Sequence, residues 1–212
     1  MKNLILVLFA ILFLPLSFPI ASAAPAVAAP NISQLQGMVV IRGKTGFQHA
    51  YHGMQLKKGD EIRTGRSGRA YIDFPDNSRV KLGSRAHFVV QDWQQDDGVF
   101  SSALKIFQGA FRYTAKAIGN GLRKRNTIVT TRTAVLGVRG TDFWGRVKND
   151  ETFFLLIEGE VSLSSRFGQT TTYNHAGAAV QITATEISAP KELSTETIAP
   201  LAAETEITKN TL

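Results

Sequence analysis

His49 and His52 stand three residues apart beside Tyr51, and two imidazoles at that spacing can share a metal ion if a turn folds them together. On a strand, residues three apart point to opposite faces, and neither a carboxylate nor a third histidine lies close by in sequence, so both read as surface histidines. His87 and His175 are isolated and read the same way. Asp96 and Asp97 are adjacent and point apart in a strand or open loop, whereas glycan cleavage needs two carboxyls facing each other across a cleft. Gly43-Lys44-Thr45 resembles the end of a phosphate-binding loop, yet Met38 occupies the place of the required earlier glycine. Gly65-Arg66-Ser67-Gly68-Arg69 lacks the second spaced glycine of a nucleophile elbow, and the acidic run Asp92 to Gly98 has its glycine one place late for a calcium loop. Zero cysteines exclude disulfide scaffolds, thiol catalysis, iron–sulfur sites and Cys-ligated zinc. The expectation is a non-catalytic protein with no catalytic residue, metal or cofactor.

Charge is the stronger lead. With 24 Lys+Arg against 17 Asp+Glu the chain carries a formal +7, so a partner chosen by charge is anionic. The excess sits between Asn31 and Ser188, with 21 basic and 13 acidic residues; the last segment, Ala189 to Leu212, has two Lys and four Glu. Arg123, Lys124 and Arg125 follow Gly119-Asn120-Gly121 and make a loop able to grip phosphate or carboxylate; they are the candidate contact residues. Arg63, Arg66 and Arg69 form a second cluster around a Thr64-Gly65 turn. Arg139, held between Gly137 and Gly140 in an apolar run, is expected to turn inward and bridge strands, because its five donors satisfy several acceptors at once. Asp142 is its nearest candidate partner, with Asp60 and Asp73 as others, since an unpaired buried charge would be prohibitive.

The elements that must hold these residues are short strands. Ala70, Ile72 and Phe74 alternate with Arg69, Tyr71 and Asp73, the period of a half-buried strand, and Pro75-Asp76-Asn77-Ser78 is a turn leading to Val80–Leu82. Further strands are expected at 37–42, 60–64, 88–90, 104–107, 109–114, 127–131, 142–148, 152–158, 160–164, 170–173 and 178–183. No stretch of three turns has apolar residues at helical spacing, so the domain is read as all-β. Gln36-Gly37, Gln108-Gly109 and Glu158-Gly159 are each followed, one residue further on, by an apolar residue and read as glycine turns that start a new strand.

Residues 1–23 have the form of a cleaved signal peptide: Lys2, the apolar run Leu4 to Leu14, and Ala21-Ser22-Ala23 at the exit. The alternative is an anchor retained at Leu4–Ile20. Export points to the periplasm and makes nucleic acid an unexpected partner. Residues 24–36 read as a linker leading into the domain, 37–188 as the β domain, and 189–212 as a flexible tail.

The run Thr130 to Phe143 with Val138-Arg139-Gly140-Thr141 at its centre, together with Leu56-Lys57-Lys58-Gly59-Asp60, Arg63-Thr64-Gly65, Gly109-Ala110-Phe111 and Glu158-Gly159-Glu160-Val161, resembles the FecR domain family. The resemblance implies an extracytoplasmic twisted β-solenoid or roll without catalytic activity. Gly59, Asp60, Gly65, Gly137, Arg139, Gly140 and Thr141 are then architectural. Iron-signalling members of the family span the inner membrane, listen to an outer-membrane transporter and control a sigma factor. Only three residues precede the apolar run here, so the expected relatives are stand-alone exported members. The expectation is a periplasmic binding or scaffold module docking an envelope protein or an anionic envelope polymer such as peptidoglycan. Its alternatives are a component of FecR-type transmembrane signalling and, third, a glycan-cleaving envelope enzyme.

Overall fold

The computed structural model describes residues 28–44, 46–115 and 121–208, with the Arg139 side chain left out. The signal peptide read over 1–23 lies outside the described residues. Strands β1 (Asn31–Gln36), β2 (Val39–Gly43), β3 (Gly46–His49), β4 (Glu61–Thr64), β5 (Arg69–Asp73), β6 (Ser78–Leu82) and β7 (His87–Asp96) open the domain. Three long strands and a shorter one form its centre: β8 (Val99–Ala115), β9 (Lys124–Thr130), β10 (Ala134–Lys148) and β11 (Glu151–Ser165). β12 (Thr170–Tyr173), β13 (Ala178–Ile182), β14 (Lys191–Glu192) and helix α1 (Thr195–Ala203) complete it.

All described strands belong to one sheet, which closes as a five-stranded barrel with flanking strands. The fold is therefore all-β, as the alternation predicts. β8 is its hub: it pairs antiparallel with β6, β7 and β10, and parallel with β9. The core is aromatic at its centre. Phe143 is fully buried, with ring centroids 6.0 Å from Phe111, 5.6 Å from Tyr113 and 5.5 Å from Phe154.

Two of the three expected glycine turns are not turns. Gly109 lies inside β8 and Gly159 inside β11, so segments read as separate strands are single bent ones. Their φ values of +96° and +88° bend each strand, and the neighbouring ladder shifts register beside each of them. Each also sits against foreign backbone: a Cβ on Gly109 would come 2.5 Å from the Ala86 Cα, and one on Gly159 would fall on the Gly140 carbonyl oxygen. Gly37, by contrast, does separate β1 from β2.

The boundaries also move. β1 pairs with β5, so the domain includes residues 31–36, which the sequence reading gave to the linker. The tail is not a free extension either. β14 pairs with β13, α1 follows, and the segment then crosses the sheet to β1, where the Thr208 N–H donates to Gln36 Oε1 at 3.2 Å. Glu206 accepts from Lys81 Nζ at 2.6 Å and from the Tyr71 hydroxyl at 2.7 Å, Glu204 pairs with Arg146, and Thr205 is fully buried. The acidic composition that suggested disorder is what matches this segment to a basic strip on the sheet. We call residues 193–208 the latch.

The latch has a defined pH window. Burial raises the Glu206 pKa, but bonding from Lys81 and Tyr71 and the charges of Lys81 and Arg112 outweigh it and hold the group below 4.5. Its contribution is present above about pH 4.5 and is lost as pH falls through that lowered value. The Tyr71 hydroxyl is pushed up to about 12, first by burial and then by Glu206, against the opposing Ile207 N–H. That contribution holds up to about pH 10, the ordinary tyrosine value, and is lost as pH rises towards 12. Hydrogen exchange of the 204–208 amides is expected to be slowest between these limits and to quicken outside them.

Candidate binding surface

The three contact residues read from the sequence separate in the structure. The Arg123 side chain is 68% exposed and lies 2.7 Å from Asp97 Oδ2, and Lys124 is exposed at the start of β9. Arg125 is not a contact residue, because its side chain is buried and bonded to the carboxylate and the carbonyl of Asp76. Alternation along β9, which begins at Lys124, explains this: neighbours on a strand face opposite sides, so with Lys124 outward Arg125 points inward. Asp76, itself fully buried, also accepts from the Ser78 N–H and hydroxyl, which fixes its free lone pairs.

Arg125 is thus an inward-turning arginine of the kind the sequence reading expects at Arg139. The Arg139 side chain lies outside the described residues; its backbone stands opposite Glu160 in the β10–β11 ladder. Of the partners considered for it, Asp142 is bonded by Arg112 at 2.8 and 2.7 Å, Asp73 by Arg79, and the Asp60 carboxylate accepts from the Lys57 N–H at 2.7 Å. Gly59 shares the Lys57–Asp60 turn, Gly65 packs on Met38, and Gly137 lies in β10 between Ile128 and Ser162. Gly140 takes the left-handed turn at the β10 bulge, and the buried Thr141 hydroxyl donates to the Glu160 carbonyl at 2.7 Å.

The surface that can take an anionic partner lies at the other end of the sheet. Lys44, Lys57, Lys58, Tyr51, Gln48 and Gln55 line an open cleft of about 790 Å³, with Asp60 at its wall. Tyr51 is 61% exposed. Lys58 reaches Asp92 at 2.6 Å and stands 5.7 Å over the Trp93 ring, which fixes the direction of a half-exposed ammonium. Next to the cleft is β3, at one end of the strand order, with all four residues exposed. Its Phe47 ring has two guanidiniums near it, Arg42 at 5.7 Å and Arg63 at 5.8 Å from the centroid. An aromatic face flanked by cations supports planar or anionic groups by stacking and charge together.

Glu61 organises this edge. It lies within ion-pair distance of Arg42, Arg63 and His87, and although burial raises its pKa, the Arg63 bond and the neighbouring charges hold it below 4.5. His87 is accordingly not the isolated surface histidine expected: it is three-quarters buried, stacks on Phe107 with centroids 4.6 Å apart, and lies 2.7 Å from Glu61. Burial, assisted by Arg63, lowers its pKa despite Glu61. His49 and His52 are exposed, and among the described residues there is no cluster of three metal-ligating side chains. The sequence reading passed over this edge. The signal available was the Lys57-Lys58 pair at a Gly-Asp turn and the recurrence of Arg42, Phe47 and Tyr51 within ten residues.

Comparison with known proteins fits this architecture. Two crystal structures of a candidate anti-sigma factor from Parabacteroides distasonis ATCC 8503 superpose with TM-scores of 0.53 and 0.51, at 16% and 15% identity. Each superposition covers 66% of this chain and 62% of the other, so the match spans less than two thirds of that protein's length and concerns the fold. No curated protein matches the chain. The model of the FecR protein family matches residues 60–162, from the Lys57–Asp60 turn through the β10–β11 ladder, and the chain therefore carries a FecR family domain.

Proposed function

We propose that the protein is a non-catalytic binding module that works on the exported side of the cell envelope and docks an anionic polymer such as peptidoglycan, or an acidic envelope protein, at its β2–β3 edge. The observation that carries this reading is the cleft of three lysines and an exposed tyrosine beside the Arg42–Phe47–Arg63 stack. FecR domains are typically non-catalytic. Neither the cleft nor the edge holds a pair of facing carboxylates or an activated nucleophile among the described residues.

The test is co-sedimentation of the exported chain with isolated sacculi at low and high salt. Wild type is expected to pellet at low salt and to be released at high salt, since exposed charges are screened beyond about 8 Å at physiological ionic strength. Lys44→Ala/Lys57→Ala/Lys58→Ala is expected to lose at least about tenfold in apparent affinity, while Lys124→Ala, on β9, stays close to wild type. Absence of pelleting at both salts rejects the polymer and directs the search to a protein, by crosslinking from Phe47.

A second reading, a component of FecR-type signalling, is favoured by the structural likeness to a candidate anti-sigma factor. Retention of residues 4–20 as an anchor supports it. Sequencing the N-terminus of the mature protein decides that point.

A further inference from the structure

The sheet has a second covered face, distinct from the cleft. Cross-strand register sets Tyr71, Lys81, Arg112, Trp144, Leu155 and Ala179 opposite one another in a single row across six strands. Tyr71, Trp144, Leu155 and Ala179 are buried, yet none of them belongs to the main core cluster. The latch crosses this row, from the Leu193 N–H bonded to Gly177 at one side to Glu206 on Tyr71 and Lys81 at the other.

The charges beneath the latch are unevenly balanced. Arg79 and Arg112 have carboxylates of the sheet itself, Asp73 and Asp142. Among the described residues, the ion pairs of Lys81 and Arg146 are made with the latch alone, through Glu206 and Glu204. Both cations stand 5.0 Å from an aromatic centroid, Lys81 at Tyr71 and Arg146 at Trp144. Trp144 is fully buried, and its Nε1–H has no hydrogen-bond partner among the described residues. A buried donor of that kind lowers its energy by meeting an acceptor, which the latch does not supply.

The latch itself is weakly built. Its helix α1 has no buried residue, no side-chain cap at Ser194 and Pro200 in its interior, and a nine-residue helix is marginal without packing. Among the described residues, its ion pairs to the sheet are made through two carboxylates, Glu204 and Glu206.

We propose that this row is a docking groove for an acidic linear segment of a partner protein, with two carboxylates two residues apart, and that Glu204-Thr205-Glu206 of the chain itself holds it closed. The partner's segment takes the places of Glu204 and Glu206 on Arg146 and Lys81, and an oxygen of it accepts from Trp144 Nε1. The groove and its occupant stand apart from the β2–β3 edge, so either assignment can fail alone.

The experiment uses the full exported chain carrying Glu204→Gln/Glu206→Gln, and a fluorescent peptide with the sequence of residues 201–208 as the probe. Anisotropy is expected to show at least about tenfold tighter binding to this variant than to wild type, weakening with salt and blue-shifting Trp emission. A peptide with both glutamates replaced by glutamine is expected not to bind, and addition of Lys81→Gln/Arg146→Gln to the variant is expected to abolish binding. Equal or absent binding across these proteins overturns the proposal. Should the variant fold poorly, wild type in excess peptide decides: faster hydrogen exchange at 195–208 with an unchanged core supports exchange of the latch, and no change refutes it. Concentration-dependent dimers of wild type that disappear on adding peptide would identify a second copy as the occupant and overturn the choice of partner.

Discussion

Asp76→Ala is expected to lower the unfolding free energy by about 3–5 kcal/mol, read as a shift of the denaturant midpoint at unchanged slope. The substitution deprives the buried Arg125 guanidinium of the carboxylate that balances its charge, inside a core where water cannot replace it. It also removes the acceptor for the Ser78 N–H and hydroxyl, and so loosens the turn between β5 and β6. Replacing both partners by apolar residues, Asp76→Leu/Arg125→Met, is expected to recover most of the loss, because no charge is then left in the core. A cost below about 1 kcal/mol for Asp76→Ala would show that the pair is solvated, and would return Arg125 to the list of surface contacts.

Phe143→Ala is expected to cost about 3–5 kcal/mol through lost transfer energy and the cavity left behind. The ring touches aromatic neighbours from β8 and β11, so three strands lose a common packing partner at once. Phe143→Leu, which keeps most of the volume, is expected to cost distinctly less. Equal effects from the two variants would mean that aromatic ring geometry, and not filled volume, carries the stability.

The strand content was legible because alternation along a strand is a local signal: Ala70, Ile72 and Phe74 declare one face of β5 without reference to any other segment. The bends at Gly109 and Gly159 were not, because a glycine at positive φ looks alike in sequence whether it ends a strand or bends it. What distinguishes the two cases is the close backbone of Ala86 and Gly140, which is distant in the chain or on another strand. Arg125 was misplaced for a related reason. Three cations in a row look like one patch until β9 begins at Lys124 and alternation sends Arg125 to the side opposite Lys124; pairing with Asp76, 49 positions away, then holds Arg125 inside. The latch was illegible by composition. Its acidic, Thr- and Ala-rich sequence reads as solvated until Lys81, Arg112 and Arg146, each from a different strand, are seen to meet its two carboxylates.

The position of β8 has a kinetic consequence. Two of its four partners, β6 and β7, precede it, and two, β9 and β10, follow it, the β9 pairing being parallel. The first half of the chain therefore cannot complete its sheet as a separate foldon, since β8 lacks two of its partners until residues up to about 148 are present. Such non-local pairing places folding in the slow regime of milliseconds to seconds, with the β8 amides exchanging only through global opening.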